Sequence, residues 1–192
     1  MALVRTFVAI DLDSKTRNTG QRIIKTLSSI ADGVRWANLD TMHLTLKFLG
    51  EVDDRELHDV CRITSGIAEK RGPFSIECKG VSAFPSVAKA TTIWMGMEDE
   101  ADILLPMQEE LESQFCERLG VPAERRPYRP HVTLGRITAR GKQNHELTEF
   151  MESQAETEFG ILRVEELVVY SSELTRNGPI YTVLARCPLS SN

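Results

Sequence analysis

Apolar positions along the chain alternate between two periods, and the alternation predicts the elements. Residues 5–11 (RTFVAID) are β-branched and aromatic, which predicts a strand. Asp13 or Ser14 then caps a helix that runs on Ile23, Ile24, Leu27 and Ile30 at helical spacing. A turn at Asp32 and Gly33 and a short extended piece, 34–36, lead to the run 42–49 (MHLTLKFL), read as a central strand. Asp53 with Glu56 has the pattern of a capping box ahead of a second helix that reaches about Lys70 on Leu57, Val60, Cys61, Ile63 and Ile67. Strands are predicted at 74–84 and 91–97, separated by Pro85, and a third helix at 103–119. The proline- and arginine-rich stretch 122–130 cannot be regular helix and delivers the chain into a strand at 131–137. A helix at 146–154 and strands at 162–171 and 180–186, joined by a turn through Asn177, Gly178 and Pro179, complete the pattern. Neighbouring strands outnumber strict βαβ units, so the class is α+β with antiparallel pairing, and no linker divides the chain.

A chain of 192 residues, 41% hydrophobic and 27% charged, buries one substantial core and reads as one domain, 1–192. No apolar stretch approaches a membrane span and no leader pattern stands at the start, which places the protein in the cytoplasm. Cys61, Cys78, Cys116 and Cys187 are scattered without metal-site spacing and read as buried thiols. A net charge of −5 argues against general polyanion binding, so any RNA contact must be local. The cluster Arg125, Arg126, Arg129, Arg136 and Arg140, with Tyr128 among them, is the one place that offers it.

The candidate chemistry lies in a repeated tetrapeptide, HLTL at 43–46 and HVTL at 131–134. Strand alternation points His43 and Thr45 one way and Leu44 and Leu46 the other, and the second copy behaves alike. Burial of the leucines and Val132 fixes the register, so both histidines stand on rigid polar faces. One HxT alone is an ordinary solvent face of a strand. Two matched copies among only four histidines point to a shared site, with His58 and His145 read as helix-surface residues.

Two imidazoles facing one phosphate supply a general base and a general acid near neutral pH, and threonine hydroxyls hydrogen-bond nonbridging oxygens. Arg136 adds charge, but strict alternation puts it on the face opposite His131. A bulge at Gly135, a strand end there, or a purely structural Arg136 are the alternatives. Neither a metal centre nor a covalent threonine intermediate is implied, so activity in chelator, no cofactor and water as nucleophile are expected.

At these residues the sequence resembles the two-histidine phosphoesterase superfamily, specifically the RNA 2′,3′-cyclic phosphodiesterases also called 2′-5′ RNA ligases. Besides the two tetrapeptides, the resemblance rests on RTFVAID, LKFLGEV at 46–52, Phe84-Pro85 and YRPHVTLGR at 128–136, and it spans almost the whole chain. It implies a bilobal, pseudo-twofold fold of two mainly antiparallel sheets with outer helices and a central cleft carrying both HxT motifs. It also implies opening of RNA 2′,3′-cyclic phosphate ends to 2′-phosphates, with some members joining tRNA halves through 2′-5′ bonds. By the same resemblance His43 donates a proton to O3′, His131 activates water, and Thr45, Thr133 and Arg136 hold the phosphate. For a nucleobase platform Trp36, Phe48, Phe84 and Tyr128 are conceivable, with Phe48 directed to the core by its parity and Phe84 preferred at its strand end. A monomer is the default. The competing substrates are 2′-5′ oligoadenylate or nucleotide cyclic phosphates, and the competing class is an RNA-end binding module without turnover.

Overall fold

The computed structural model describes residues 2–99, 101–138, 145–176 and 178–190. Strand β1 (Leu3–Asp11) leads into helix α1 (Ser14–Ser28), where the amide of Thr16 donates to Asp13 Oδ1 at 2.7 Å, an N-cap that satisfies one of the helix's orphan donors. Then come β2 (Val34–Trp36), β3 (His43–Asp53), α2 (Leu57–Ala68), β4 (Phe74–Phe84), β5 (Thr92–Glu98) and α3 (Leu104–Leu119). Gly120, in the left-handed region at φ 63°, closes α3 by turning its amide back onto Cys116 O. Strand β6 (His131–Ile137), α4 (His145–Ser153), β7 (Glu158–Val164), β8 (Glu166–Thr175) and β9 (Gly178–Pro188) complete the chain. Arg140 and Asn177 lie outside the described residues.

The fold is α+β. Its strands follow the order β7-β4-β5-β6-β3-β1-β8-β9, with β2 also on β6, and every pairing is antiparallel. Five strands, counting β2, stand on the β6 side of the β6/β3 junction and four on the β3 side, and the junction consists of the single ladder pair Leu44↔Val132 among the described residues. One face of this curled sheet packs on the helices through a core that includes Leu27, Leu44, Ile76, Ile93, Leu111, Phe115, Val132 and Leu134. Phe7, Ala9, Val168 and Tyr170 form a second, smaller cluster. Among the described residues no helix is long and apolar enough to cross a membrane. The four cysteines are free: Cys78 and Cys187 are buried, which pushes both thiols up to about 11, and Cys61 and Cys116 are half-buried.

Three local readings are corrected. The apolar run 162–171 is not one strand: Glu165 separates β7 from β8, and the two pair with β4 and β1, far apart in the strand order. No glycine or proline marks that break; its one trace is the adjacent pair Glu165 and Glu166, which shifts the buried positions from Leu162 and Val164 to Leu167 and Val169. The capping box at the start of α2 does not form. Asp53 instead accepts from the Arg55 amide at 3.0 Å and binds the Arg55 guanidinium at 2.7 Å, capping a short 3-10 turn, Asp54–Glu56. Phe48 does not enter the core and is 56% exposed. On β3 the pairing steps from Ala9↔Thr45 to Val8↔Lys47, leaving Leu46 as an extra residue, and this bulge puts Thr45 and Phe48 on one face.

The same bulge turns Lys47 inward, where it is 5% exposed. Its ammonium donates to Glu112 at 2.8 Å and to Pro122 O at 3.1 Å, while Glu112 also accepts from the Glu124 amide at 2.7 Å. A buried charge requires such partners, and here they tie β3 and α3 to the loop that leads into His131.

Candidate active site

Leu44 and Val132 are both fully buried on the core side of the sheet. An antiparallel register carried one residue each way from that pair sets His43 opposite Thr133 and Thr45 opposite His131. The four polar side chains of the two HxT motifs therefore share the face away from the core. Each histidine is held in the same manner. His43 Nδ1 lies 2.9 Å from Thr41 O, and His131 Nδ1 lies 2.6 Å from Arg129 O, each a carbonyl two residues upstream. A carbonyl only accepts, so Nδ1 carries the proton on both rings, and among the described residues neither Nε2 has a hydrogen-bond partner.

Burial holds both imidazoles below their ordinary value of 6.5, since desolvation disfavours the cation. The carbonyl bonds oppose that shift. Among the charges near His43, the Asp11 carboxylate acts most strongly and favours the cation, ahead of Arg17 and His131, which disfavour it. Asp11 is the direct cross-strand partner of His43, and it also accepts from the Tyr170 hydroxyl and meets Arg186 at 3.3 Å and Arg17 at 3.6 Å. His131 has no such carboxylate, and Arg136 disfavours its cation.

The bulge anticipated at Gly135 is present. Pairing of β5 with β6 steps from Trp94↔Thr133 to Ile93↔Gly135, leaving Leu134 as the extra residue. Leu134 and Gly135 are both buried, and Arg136 returns to the exposed face with His131 and Thr133. Trp36 packs so closely that a Cβ on residue 135 would lie 2.7 Å from its ring. Arg136 donates to Thr92 Oγ1 at 3.1 Å, and its charge is felt by Tyr181 on β9, in the other half of the sheet.

Aromatic rings stand beside both histidines. Phe84 meets His131 edge-on at 4.9 Å and Trp94 at 5.1 Å. Phe7 lies 4.8 Å from His43, with Tyr181 at 5.3 Å from the same imidazole and Phe48 at 5.6 Å from Phe7. Two conceivable platforms are engaged elsewhere. Trp36 packs on the core, and the Tyr128 hydroxyl donates to Thr45 O at 2.9 Å, with burial raising its pKa. His58 and His145 are exposed, as read from the sequence. Of the arginine cluster, Arg125, Arg126 and Arg129 are exposed. Sequence reasoning missed Asp11, Phe7, Trp94, Tyr170 and Tyr181. Phe7, Ala9 and Asp11 do share one parity, but only the pairing of β1 with β3 and β8 shows which face that parity meets.

Comparison with known proteins identifies the family. The LigT-like phosphoesterase family model matches residues 10–94 and again 96–181, with one HxT in each span. The chain is 34% identical over 180 residues to an RNA 2′,3′-cyclic phosphodiesterase of Methanothermobacter thermautotrophicus, covering 93% of this chain and 95% of the relative. It is 32% identical to the protein of the same name from Thermotoga maritima, covering 96% and 95%. A crystal structure of a Thermus thermophilus protein superposes with a TM-score of 0.82 at 28% identity, covering 96% and 97%. E. coli LigT complexed with 3′-AMP superposes at 0.74 with 25% identity, covering 98% and 99%. The chain belongs to the LigT-like phosphoesterase family of the two-histidine superfamily.

Proposed function

We propose that this chain opens 2′,3′-cyclic phosphates at RNA ends to 2′-phosphates by acid–base catalysis between His43 and His131, without a metal or cofactor. The observation that carries this reading is the matched pair of Nδ1–carbonyl bonds, which leaves both Nε2 atoms free on one face. His131 Nε2 takes a proton from water as the water oxygen bonds to phosphorus. The P–O3′ bond breaks, and His43 Nε2 gives its proton to O3′, leaving a 3′-hydroxyl and a 2′-phosphate. Asp11 beside His43 and Arg136 beside His131 support this division of roles, because the acid needs the higher proton affinity. Thr45, Thr133 and Arg136 hold the nonbridging oxygens, where donors aimed at developing charge stabilise the transition state. Phe84 supplies the nucleobase platform.

Rings beside both histidines favour a second activity of the same site, 2′-5′ joining, in which an RNA 5′-hydroxyl takes the place of water. The substrates of that activity are tRNA halves. The protein acts as a single bilobal domain, a monomer, in the cytoplasm. Phosphorus NMR of the products from a nucleoside 2′,3′-cyclic phosphate tests the reading. A 2′-monophosphate is expected. Binding without turnover would instead make the protein an RNA-end binding module, and turnover only of 2′-5′ oligoadenylate or of another nucleotide cyclic phosphate would reassign its substrate.

A further inference from the structure

We infer that Arg35, the cross-strand neighbour of Arg136, forms a second phosphate subsite that takes the backbone phosphodiester preceding the terminal nucleotide; the inference rests on the function proposed above. Phe84, Thr92, Arg136 and Arg35 are successive cross-strand partners on β4, β5, β6 and β2. Neighbouring strands lie about 4.8 Å apart, so this row crosses the face that carries His131 and Thr133, with an aromatic ring at one end and two guanidiniums at the other. Val34 and Trp36 pack on the core, which leaves Arg35 facing the opposite side, and it is exposed.

Like charges directly opposite one another in an antiparallel ladder are destabilising, and a carboxylate commonly relieves them. None does so here: among the described residues neither arginine forms an ion pair, and Arg136 bonds only the neutral Thr92 hydroxyl. An unrelieved cationic pair in a protein of net charge −5 is a local anion site. Arg136 lies close enough to His131 to shift its proton affinity and serves the reacting phosphate. Arg35 stands one strand farther out, a displacement comparable to the step between successive phosphates of a ribonucleotide chain. Guanidinium is suited to that ligand, because its planar fork donates to two phosphate oxygens at once. The subsite makes the enzyme prefer an oligonucleotide end to a free cyclic mononucleotide.

The test measures binding to wild type, Arg35→Gln and Arg35→Lys across a range of KCl concentrations. The probes are a pentaribonucleotide ending in a 2′-phosphate and the matching nucleoside 2′-phosphate. Arg35→Gln is expected to weaken the pentamer about tenfold, the loss of one charged hydrogen-bonding contact. Its log–log salt slope should flatten by about 0.7, the value for one phosphate contact on a single strand. Mononucleotide affinity should change less than twofold, and Arg35→Lys should keep the salt slope. Equal weakening of both probes, no weakening of either, or a wild type that binds the pentamer no better than the mononucleotide overturns the inference. Hydrolysis of the cyclic mononucleotide by wild type, run in parallel, reports on the catalytic reading separately.

Discussion

Leu44 lies opposite Val132, and among the described residues that is the one ladder pair joining β3 to β6, where the two halves of the sheet meet. Both side chains are buried, so the junction fixes the register of the residues beside them. His43 then faces Thr133 and His131 faces Thr45 on the polar side. The apolar positions of HLTL and HVTL thus set the geometry that the polar positions use.

In the proposed reaction, removing either imidazole takes away one of the two proton transfers. His43→Ala and His131→Ala are each expected to lower kcat roughly a hundred- to ten-thousandfold, the range for a positioned acid or base. The double variant should fall little below the worse single one, because the two act as a unit. Melting temperatures close to wild type would show that chemistry, and not folding, has been lost.

Burial lowers both imidazole pKa values, and this fixes the sign of the pH dependence. The acid must be protonated in free enzyme, so the alkaline limb of kcat/KM is expected below pH 6.5. In kcat the limb should move upward, since bound phosphate favours the imidazolium. Asp11→Asn removes the carboxylate opposite His43 and should shift the kcat/KM limb to lower pH. An unmoved or raised limb would show that Asp11 does not support the acid.

The same shifts predict a stability change. A histidine whose folded pKa lies below its unfolded value costs nothing well above pH 6.5, where both states are neutral. Stability is then lost as pH falls through 6.5 toward the lowered folded values, because the unfolded chain takes up the protons first. His43→Gln should therefore lose less stability than wild type between about pH 7 and pH 5 in urea titrations.

Gly135→Ala tests the bulge that aims Arg136. The added methyl meets Trp36 at 2.7 Å and Val34 at 2.8 Å, and overpacking of that kind costs about 1–3 kcal/mol. Trp36→Leu in the same chain should recover part of that loss, read as a coupling energy in a double-mutant cycle. Additive effects of the two substitutions would mean that the ring is not what excludes a side chain at 135.

Glu112→Ala leaves the Lys47 ammonium buried without its carboxylate and frees the Glu124 amide, so about 3 kcal/mol of stability should be lost. The loop leading to His131 loosens with it. A fall in kcat/KM for folded protein, measured well below the melting temperature, would show that the ion pair also positions the site.

Most of the fold and the two histidines were legible in the sequence because both rest on alternation: Leu44 and Leu46 inside, His43 and Thr45 outside. The failures lie where alternation breaks. A bulge at Leu46 exposes Phe48 and buries Lys47, and neither residue type announces it. At Gly135 the missing side chain marks the site, so a bulge there is one alternative the sequence itself offers for Arg136. The break at Glu165 has no turn residue, and the strand beyond it pairs in the other half of the sheet. Asp11 and the rings of Phe7, Tyr170 and Tyr181 come to His43 only through long-range pairing, which a local pattern does not encode.

The central claim is tested most directly by incubating purified protein, in excess chelator, with a short RNA ending in a 2′,3′-cyclic phosphate, and resolving the product isomers. Conversion to the 2′-phosphate by wild type, lost in both His43→Ala and His131→Ala, is the predicted result. An intact cyclic end, a 3′-phosphate product, or full activity in either variant would contradict the account.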